Sequence, residues 1–422
     1  MASLFLPCAG GVEGWLSDEV KRITGSPTET TRGGVWVEGD ERTAMQLNLE
    51  SRLAQRVLWP LIDGPYRDEH ELYELARRVP WQDWITPEMT LRVDVNAMRS
   101  PLQSLNFTAL RIKDAVCDRL REVAGARPSV DVRFPDLPIV LFAGPAYATI
   151  YVDTSGEALF KRGWRDESGG GFKGEAPLKE TLAAAMLAAA GWHGRAEDGP
   201  LLDPCCGAGT IAIEAAQIAC GIAPGGQRRF AFEKMLPFKS HMGTWRELQQ
   251  QAKARVKPSP VPIYAGDVSF RMTDFATRNA ERAGVRGSID FKTADALQRP
   301  PPAAHGVIVM NPPYGERIAP KGHGSLPRGA REAFEGGGTP ATFFGGLATH
   351  WKRQYPGWTS WLLTPDMGLP GLMRLKESRR VPLWNGAIEC RMFRFDMMAG
   401  AGPGARAQPI AAEAPPPETP QL

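Results

Sequence analysis

The sequence predicts an α/β fold in more than one unit: a front of α+β character, then a larger unit with a parallel, helix-covered sheet. Three observations carry this. The chain has 422 residues, more than one ordinary domain. Its first part reads as short alternating strands interleaved with helices. From residue 177 onward, helical stretches alternate with short apolar runs such as VIVM (307–310), which lacks polar alternation, as a buried parallel strand should.

Each element follows in order. LFLPCAGG (4–11) opens as a strand and leads into an amphipathic helix at 12–23 whose polar members include Glu13, Asp18, Glu19, Lys21 and Arg22. Residues 35–37 read as a strand, and a second helix is predicted over 43–58. LRVDVNA (91–97) alternates strictly, so it is a half-buried strand. Residues 106–123 are helical, with Leu110, Val116, Leu120 and Val123 near helical spacing, and strands are predicted at 130–134, 139–143 and 148–153. Residues 154–176 are rich in Gly, Lys and Arg and read as a linker. The later strands are predicted at 201–203, 262–267, 289–295, 307–311 and 358–365. Residues 320–338, rich in Gly and Pro, are a loop, and 399–422, with PPPETP, a disordered tail.

Composition narrows the function. At 43% hydrophobic and 23% charged the chain can bury a core, so disorder throughout and a coiled coil are excluded. Lys plus Arg number 50 against 47 Asp plus Glu, a net charge of +3, which excludes coating nucleic acid by bulk charge but leaves room for a local patch. Residues 1–85 hold 9 basic and 14 acidic side chains, residues 86–165 hold 11 and 9, and the remainder 30 and 24, so a polyanion should meet the later two regions first. The six cysteines are sparse, with Cys205 and Cys206 adjacent, giving neither a disulfide framework nor a paired CxxC site. The six histidines show no metal spacing, and no metal is expected. The longest apolar stretch, 181–192, is too short to span a bilayer, and residues 1–11 lack a signal peptide's basic and long apolar regions, so a cytoplasmic protein is predicted.

Two motifs carry chemistry. DPCCGAGT (203–210) lies between a strand and a helix; Gly207 and Gly209 let backbone amides approach a ligand, and the helix starting near Thr210 aims its positive end the same way. By itself this loose GxGxxG/A pattern fits a plain structural turn equally well. Asp203, at the strand tip, suits an amino group, and the next strand-tip acid, Asp267, suits ribose hydroxyls. Cys205 and Cys206 shape the turn and have no basic neighbour in sequence to make either a nucleophile. NPPY (311–314) directly follows VIVM. Its two prolines remove donors and stiffen the turn, leaving the Asn311 amide oxygen and the Pro312 carbonyl as acceptors beside the flat ring of Tyr314. That set suits a planar base with an exocyclic NH2, held by both hydrogens so that the nitrogen lone pair faces an electrophile.

The order DPxCGxGT, strand-tip acid, ADA, NPPY resembles the class I S-adenosylmethionine-dependent amino-methyltransferases. APLKETLAAAMLAAAGW (176–192) is similar to the helix preceding the cofactor turn in THUMP-domain RNA methyltransferases, VDTSGEALFKRGWR (152–165) to the end of their THUMP region, and residues 35–61 to their ferredoxin-like domain. PLWNGAIECRMFRF (382–395) resembles their closing antiparallel hairpin, where Asn385-Gly386 suits a two-residue turn. The likeness covers nearly all of residues 1–398 and is nearest the branch acting on guanine N2 of large-subunit (23S) ribosomal RNA, with a tRNA guanine-N2 enzyme as the alternative. It implies a Rossmann-like class I methyltransferase domain at 177–398, preceded by a ferredoxin-like domain (1–62), a THUMP RNA-binding domain (63–155) and a linker (156–176). It further implies S-adenosyl-L-methionine as cofactor, with Leu178, Lys179, Glu180, Thr181, Asp203, Cys205, Gly207, Gly209 and Thr210 around its amino-acid end, Asp267 on ribose, and Asp295 with Ala296 at adenine. Asn311, Pro312, Pro313 and Tyr314 would hold the target amine, Asn311 also bordering the cofactor. Many relatives place a second acid two residues after the ribose acid, where this chain has Ser269. RNA would be met by Lys161, Arg162, Trp164 and Arg165, where basic side chains flank an aromatic, and by Arg111 and Lys113. The protein is expected to be a monomer whose residues 1–165 choose the RNA while 177–398 do the chemistry, the latter binding cofactor unaided.

Overall fold

The computed structural model describes residues 1–165, 178–312 and 339–398. The front half runs β1 (Ala2–Pro7), α1 (Glu13–Thr24), β2 (Thr28–Thr31), β3 (Gly34–Gly39), α2 (Glu41–Glu50), β4 (Leu58–Pro65), α3 (Glu69–Arg77), β5 (Thr90–Ala97), α4 (Leu105–Ala124), β6 (Ser129–Val130), β7 (Leu137–Ala143) and β8 (Tyr147–Asp153). Local chemistry starts these helices. Asp40 accepts the Thr43 amide at 2.9 Å, Asp68 accepts two amides at the start of α3, and Ser104 accepts that of Phe107.

All eight strands form one sheet in the order β2-β3-β1-β4-β8-β7-β5-β6. β4 is the seam: it meets β1 at Phe5 and Leu58 and pairs along its length with β8. Residues 62 and 63, the predicted domain boundary, both lie inside β4.

Three sequence expectations need correction here. The helix predicted over 43–58 stops at Glu50 because the next segment has stronger partners elsewhere. Ser51 Oγ donates to Glu19 at 2.6 Å, the Gln55 amide to Pro7 O at 2.7 Å, and the Val57 amide to Ser155 Oγ at 2.8 Å. The strand predicted at 130–134 ends at Val130, because the Asp131 carboxylate takes the Arg133 and Phe134 amides at 2.8 and 2.9 Å and turns the chain. Residues 154–165 are no solvated linker: Thr154, Ser155, Leu159, Arg162 and Trp164 are buried.

The second half runs α5 (Glu180–Ala190), β9 (Leu201–Asp203), α6 (Thr210–Ala219), α7 (Met242–Ala254), β10 (Ile263–Asp267), α8 (Phe270–Arg282), β11 (Asp290–Thr293), β12 (Gly306–Met310), α9 (Pro340–Gln354), β13 (Trp358–Thr364), α10 (Leu369–Met373), β14 (Arg379–Asn385) and β15 (Ile388–Asp396). The sheet order is β11-β10-β9-β12-β13-β15-β14. The first five are parallel and the last two close antiparallel. Ile308, Val309 and Met310 are fully buried, as a two-sided parallel strand requires. The hairpin turn sits one residue beyond the expected pair: Asn385 opposes Ile388, so Gly386 and Ala387 are central. Gly386 takes φ 64°, the positive value a type II′ turn needs at its first central position.

One apolar core crosses both halves, joining Leu47, Val57, Leu159 and Trp164 to Ile213 and Trp245. Backbone bonds cross too: Gly225 N donates to Leu49 O at 2.9 Å and Phe232 N to Thr154 O at 3.0 Å. Among the described residues no helix is long and apolar enough to cross a membrane.

Candidate active site

The strand order reverses at β9, with β10 on one side and β12 on the other, so a crevice opens at the carboxyl ends of these strands. Register puts the predicted groups on that edge. Asp203 ends β9 level with Ala265, so Asp267 lies two residues beyond it on β10. Asp267 is level with Thr293 of β11, and Asp295 lies two residues further. Asn311 directly follows β12, with Asn311 half-buried and Pro312 buried. Pro313 and Tyr314, like the predicted loop 320–338 and the tail 399–422, lie outside the described residues.

The turn after β9 is tied from several sides. Gly207 N donates to Asp267 Oδ2 at 3.0 Å, and Cys206 N to Gly266 O at 2.7 Å. Asn279 Nδ2, on α8, holds Ala208 O at 2.9 Å. Gly209 adopts φ 83° and packs so near α8 that an added Cβ would come within 3.0 Å of Ala276 Cβ. Above Gly207, by contrast, the nearest atom to an added Cβ is Met272 Cε at 4.0 Å, which leaves space for a ligand.

Asp203 is 1% exposed, and its Oδ1 finds no hydrogen-bond partner among the described residues. A buried carboxylate oxygen without a donor is costly unless a ligand supplies one. Burial pushes its pKa well above the usual carboxylate range, Asp267 adds to the rise, and the Cys205 amide opposes it. Ionisation therefore opposes folding, with no penalty below the unfolded carboxyl's pKa of about 4 and a growing one above it. Asp203→Asn is expected to raise the Tm of the ligand-free protein by a few degrees at neutral pH, the gain shrinking as pH falls toward about 4. Melting curves across pH that show no gain at neutrality would place Asp203 in a well-solvated setting instead.

The other acids are preorganised. Asp267 Oδ1 also accepts Ser269 N at 3.0 Å, so the residue standing where relatives carry a second acid serves this carboxylate through its amide. Asp295 accepts the Leu297 amide at 2.9 Å and Gln298 Nε2 at 3.2 Å, and Ala296 packs with Leu202 and Met310 below the crevice. Both thiols of the turn are held neutral, burial pushing Cys205 and Cys206 far up with Asp203 and Asp267 adding to it. Neither is set up as a nucleophile.

On the α5 side, Glu180 and Thr181 are buried and Leu178 is half-buried, while Lys179 Nζ lies 5.2 Å from the Phe160 ring. Glu180 pairs with Arg165 Nε. That overturns part of the RNA reading. Arg162 is 3% exposed; its Nε donates to Glu214 Oε1 at 3.0 Å and its Nη2 to Arg52 O at 2.8 Å. Trp164 is 1% exposed. Neither can touch RNA from there, because Arg162 is held against α6 and Arg52 while the Trp164 ring is buried in the apolar core. Lys161 stays partly exposed and pairs with Glu157 at 2.6 Å. On α4, Arg111 lies 4.3 Å over the Tyr73 ring and Lys113 pairs with Asp114 at 2.6 Å, both away from the crevice.

Three residues escaped the sequence reading. Arg52 reaches Glu214 Oε2 at 3.1 Å, so Glu214, fully buried on α6, carries two guanidinium groups. Arg299 is buried, with Nη1 unpartnered among the described residues, and lowers the pKa of Asp203. No local pattern announces any of them. Among the described residues no group of three His, Cys, Asp or Glu side chains could hold a metal.

Comparison with known proteins adds names to this geometry. Residues 3–58 match the RlmL ferredoxin-like domain, 66–153 the THUMP domain, and 162–326 the RMKL-like methyltransferase domain. The chain is 35% identical over 405 residues to the ribosomal RNA large subunit methyltransferase K/L of Shewanella sp. (strain ANA-3), covering 94% of this chain and 53% of that protein. It thus spans about half the length of the curated relatives it matches. Among solved structures, SMU.472, named as a methyltransferase and complexed with SAH, matches with TM-score 0.79 and 25% identity, covering 94% of this chain and 98% of that one. A protein of Listeria monocytogenes str. 4b F2365, named as a predicted N6-adenine-specific DNA methylase, matches with TM-score 0.78 and 28% identity over 93% of this chain and 96% of its own.

Proposed function

Since the chain belongs to the THUMP-domain methyltransferases with an RlmL-type ferredoxin-like front, we propose that it methylates the exocyclic N2 amine of a guanine in 23S ribosomal RNA, using S-adenosyl-L-methionine. One observation carries the reading: three strand-end acids line the carboxyl edge of the sheet on one side of the reversal point, and Asn311-Pro312 stands on the other. The cofactor supplies an electrophilic methyl group on a sulfonium. Its fit here rests on the unpartnered Oδ1 of Asp203 and the open space over Gly207.

Each residue then has a task. Asp203 Oδ1 takes the α-ammonium group. Asp267, fixed through Gly207 and Ser269, takes the ribose hydroxyls, and Asp295 the adenine amine. The Asn311 amide oxygen and the Pro312 carbonyl accept the two N–H bonds of the target amine and draw its lone pair out of conjugation. With the lone pair so aimed, the amine would face the methyl group that the bound cofactor supplies, and the proton it loses would pass to solvent. Pro313 and Tyr314 complete that turn, the ring stacking on a base that has left its helix. Catalysis is then positioning and polarisation. In this reading Arg111, Lys113 and Lys161 contact RNA, and the protein works as a cytoplasmic monomer. The boundaries near residues 62, 155 and 176 mark the shift from reading to chemistry.

The test is methylation of undermodified ribosomal and transfer RNA, followed by nucleoside mass spectrometry. N2-methylguanosine in the ribosomal substrate alone is expected. Methylation of tRNA alone would move the enzyme to the tRNA class, and a methylated adenine would overturn the choice of amine. Asp267→Ala should weaken S-adenosylhomocysteine binding about tenfold or more, since hydrogen bonds to charged groups contribute roughly 1.5–3 kcal/mol. An unchanged Kd by titration calorimetry would move the ribose contact elsewhere.

A further inference from the structure

We propose that Arg165 is the positioning residue for the cofactor's amino-acid end, an assignment that rests on the reading just given. Its guanidinium touches three sides of that subsite. Nε pairs with the carboxylate of Glu180, the first residue of α5, and Nη2 donates to Thr210 Oγ1, on the first residue of α6, at 2.7 Å and to Leu178 O at 3.3 Å. One planar group therefore holds the first turns of two helices against each other. A guanidinium does this where an ammonium would not, because its donors form a rigid fork.

The two helix starts share a second property. Neither Lys179 before α5 nor Gly209 before α6 caps its helix with a side chain, although on α5 the Leu182 amide already bonds Lys179 O at 3.0 Å. Asp203, the last residue of β9 and seven residues before Thr210, carries a buried Oδ1 with no partner among the described residues. Uncapped amides suit a carboxylate and Asp203 suits an ammonium, the two charges of an amino acid's free end. Their spacing is right only while α5 and α6 keep their alignment. Arg162, three residues before Arg165, pins Glu214, one turn along α6 from Thr210, so the segment leaving the THUMP domain is fastened along this helix at two points. Without Arg165 the buried Glu180 would lose the charge that opposes its desolvation. The first turn of α5 would then shift or take up a proton.

The experiment uses the full-length protein with Arg165→Gln and Arg165→Lys. Calorimetry measures the Kd of S-adenosylhomocysteine and of 5′-methylthioadenosine, which keeps the nucleoside and lacks the amino-acid end. For Arg165→Gln we expect the first to weaken about tenfold or more and the second to stay within about twofold. Arg165→Lys should fall between, keeping charge without the fork. In turnover the KM for S-adenosylmethionine should rise with little change in kcat. Equal weakening of both ligands, or no weakening of the first, overturns the assignment. If Arg165→Gln does not melt cooperatively, Arg165→Lys carries the same comparison. Failure of the wild-type protein to bind either ligand would instead overturn the reading of the site, and this proposal with it.

Discussion

Replacing Asn311 with alanine is expected to lower kcat by at least about a hundredfold while leaving the Kd for S-adenosylhomocysteine within about threefold. The asymmetry comes from where Asn311 stands. It follows β12 across the reversal point, while the acids assigned to the cofactor follow β9, β10 and β11. In the proposed reading its amide oxygen is the acceptor that orients the target amine, and the demand on it would grow as the nitrogen becomes positive in the transition state. An acceptor aimed at developing charge in a water-poor site is worth about 3–4 kcal/mol. Ground-state cofactor binding, which Asn311 would only border, should draw little on it. Single-turnover kinetics with saturating RNA separate the steps, and a kcat within a few fold of wild type would sink the assignment.

Glu214→Ala should give the largest loss of stability of any single change considered, about 3–5 kcal/mol. It strands the buried guanidinium of Arg162, from the segment after β8, and the mostly covered one of Arg52, just past α2. Burial already depresses the pKa of Arg52, and Glu214 is the first group that opposes this. Urea unfolding reads the loss directly, and a change below about 1 kcal/mol would mean the cluster is well hydrated. Replacing all three residues by apolar ones of similar volume should cost far less, because no charge is left unpaired. The same cluster revises an expectation from the sequence, that residues 177–398 bind cofactor unaided. A chain without residues 1–165 leaves Glu180 and Glu214 buried without their arginines, and it should show no cooperative unfolding transition.

What was legible in the sequence was what local pattern controls. The unalternating VIVM run is a buried strand because a parallel strand is covered on both faces. Asp203, Asp267, Asp295 and Asn311 could be placed on one edge because each ends a predicted strand. Even the hairpin was readable to within one residue. Partnerships across long separations were not. Arg162 finds Glu214 at a separation of 52 residues and Arg52 finds it at 162. In sequence, KRGWR shows only basic residues beside an aromatic, the same pattern as an exposed RNA contact. The end of α2 was missed for a related reason: Ser51, Gln55 and Val57 leave the helix for partners on α1, β1 and the segment after β8.

The shared strand β4 limits how such proteins can be recombined. Grafting a foreign front half onto this second half offers no neutral joint at the obvious seams. A cut at residue 62 divides a strand whose two edges belong to different modules, and a one-residue slip there would turn side chains to the wrong face of the sheet. A cut between 155 and 165 unseats the two arginines fastened along α6. A donor front would have to bring its own arginines, spaced to meet Glu214 and Glu180. Exchange of parts within this architecture is therefore a trade of whole front halves that already carry the matching charges.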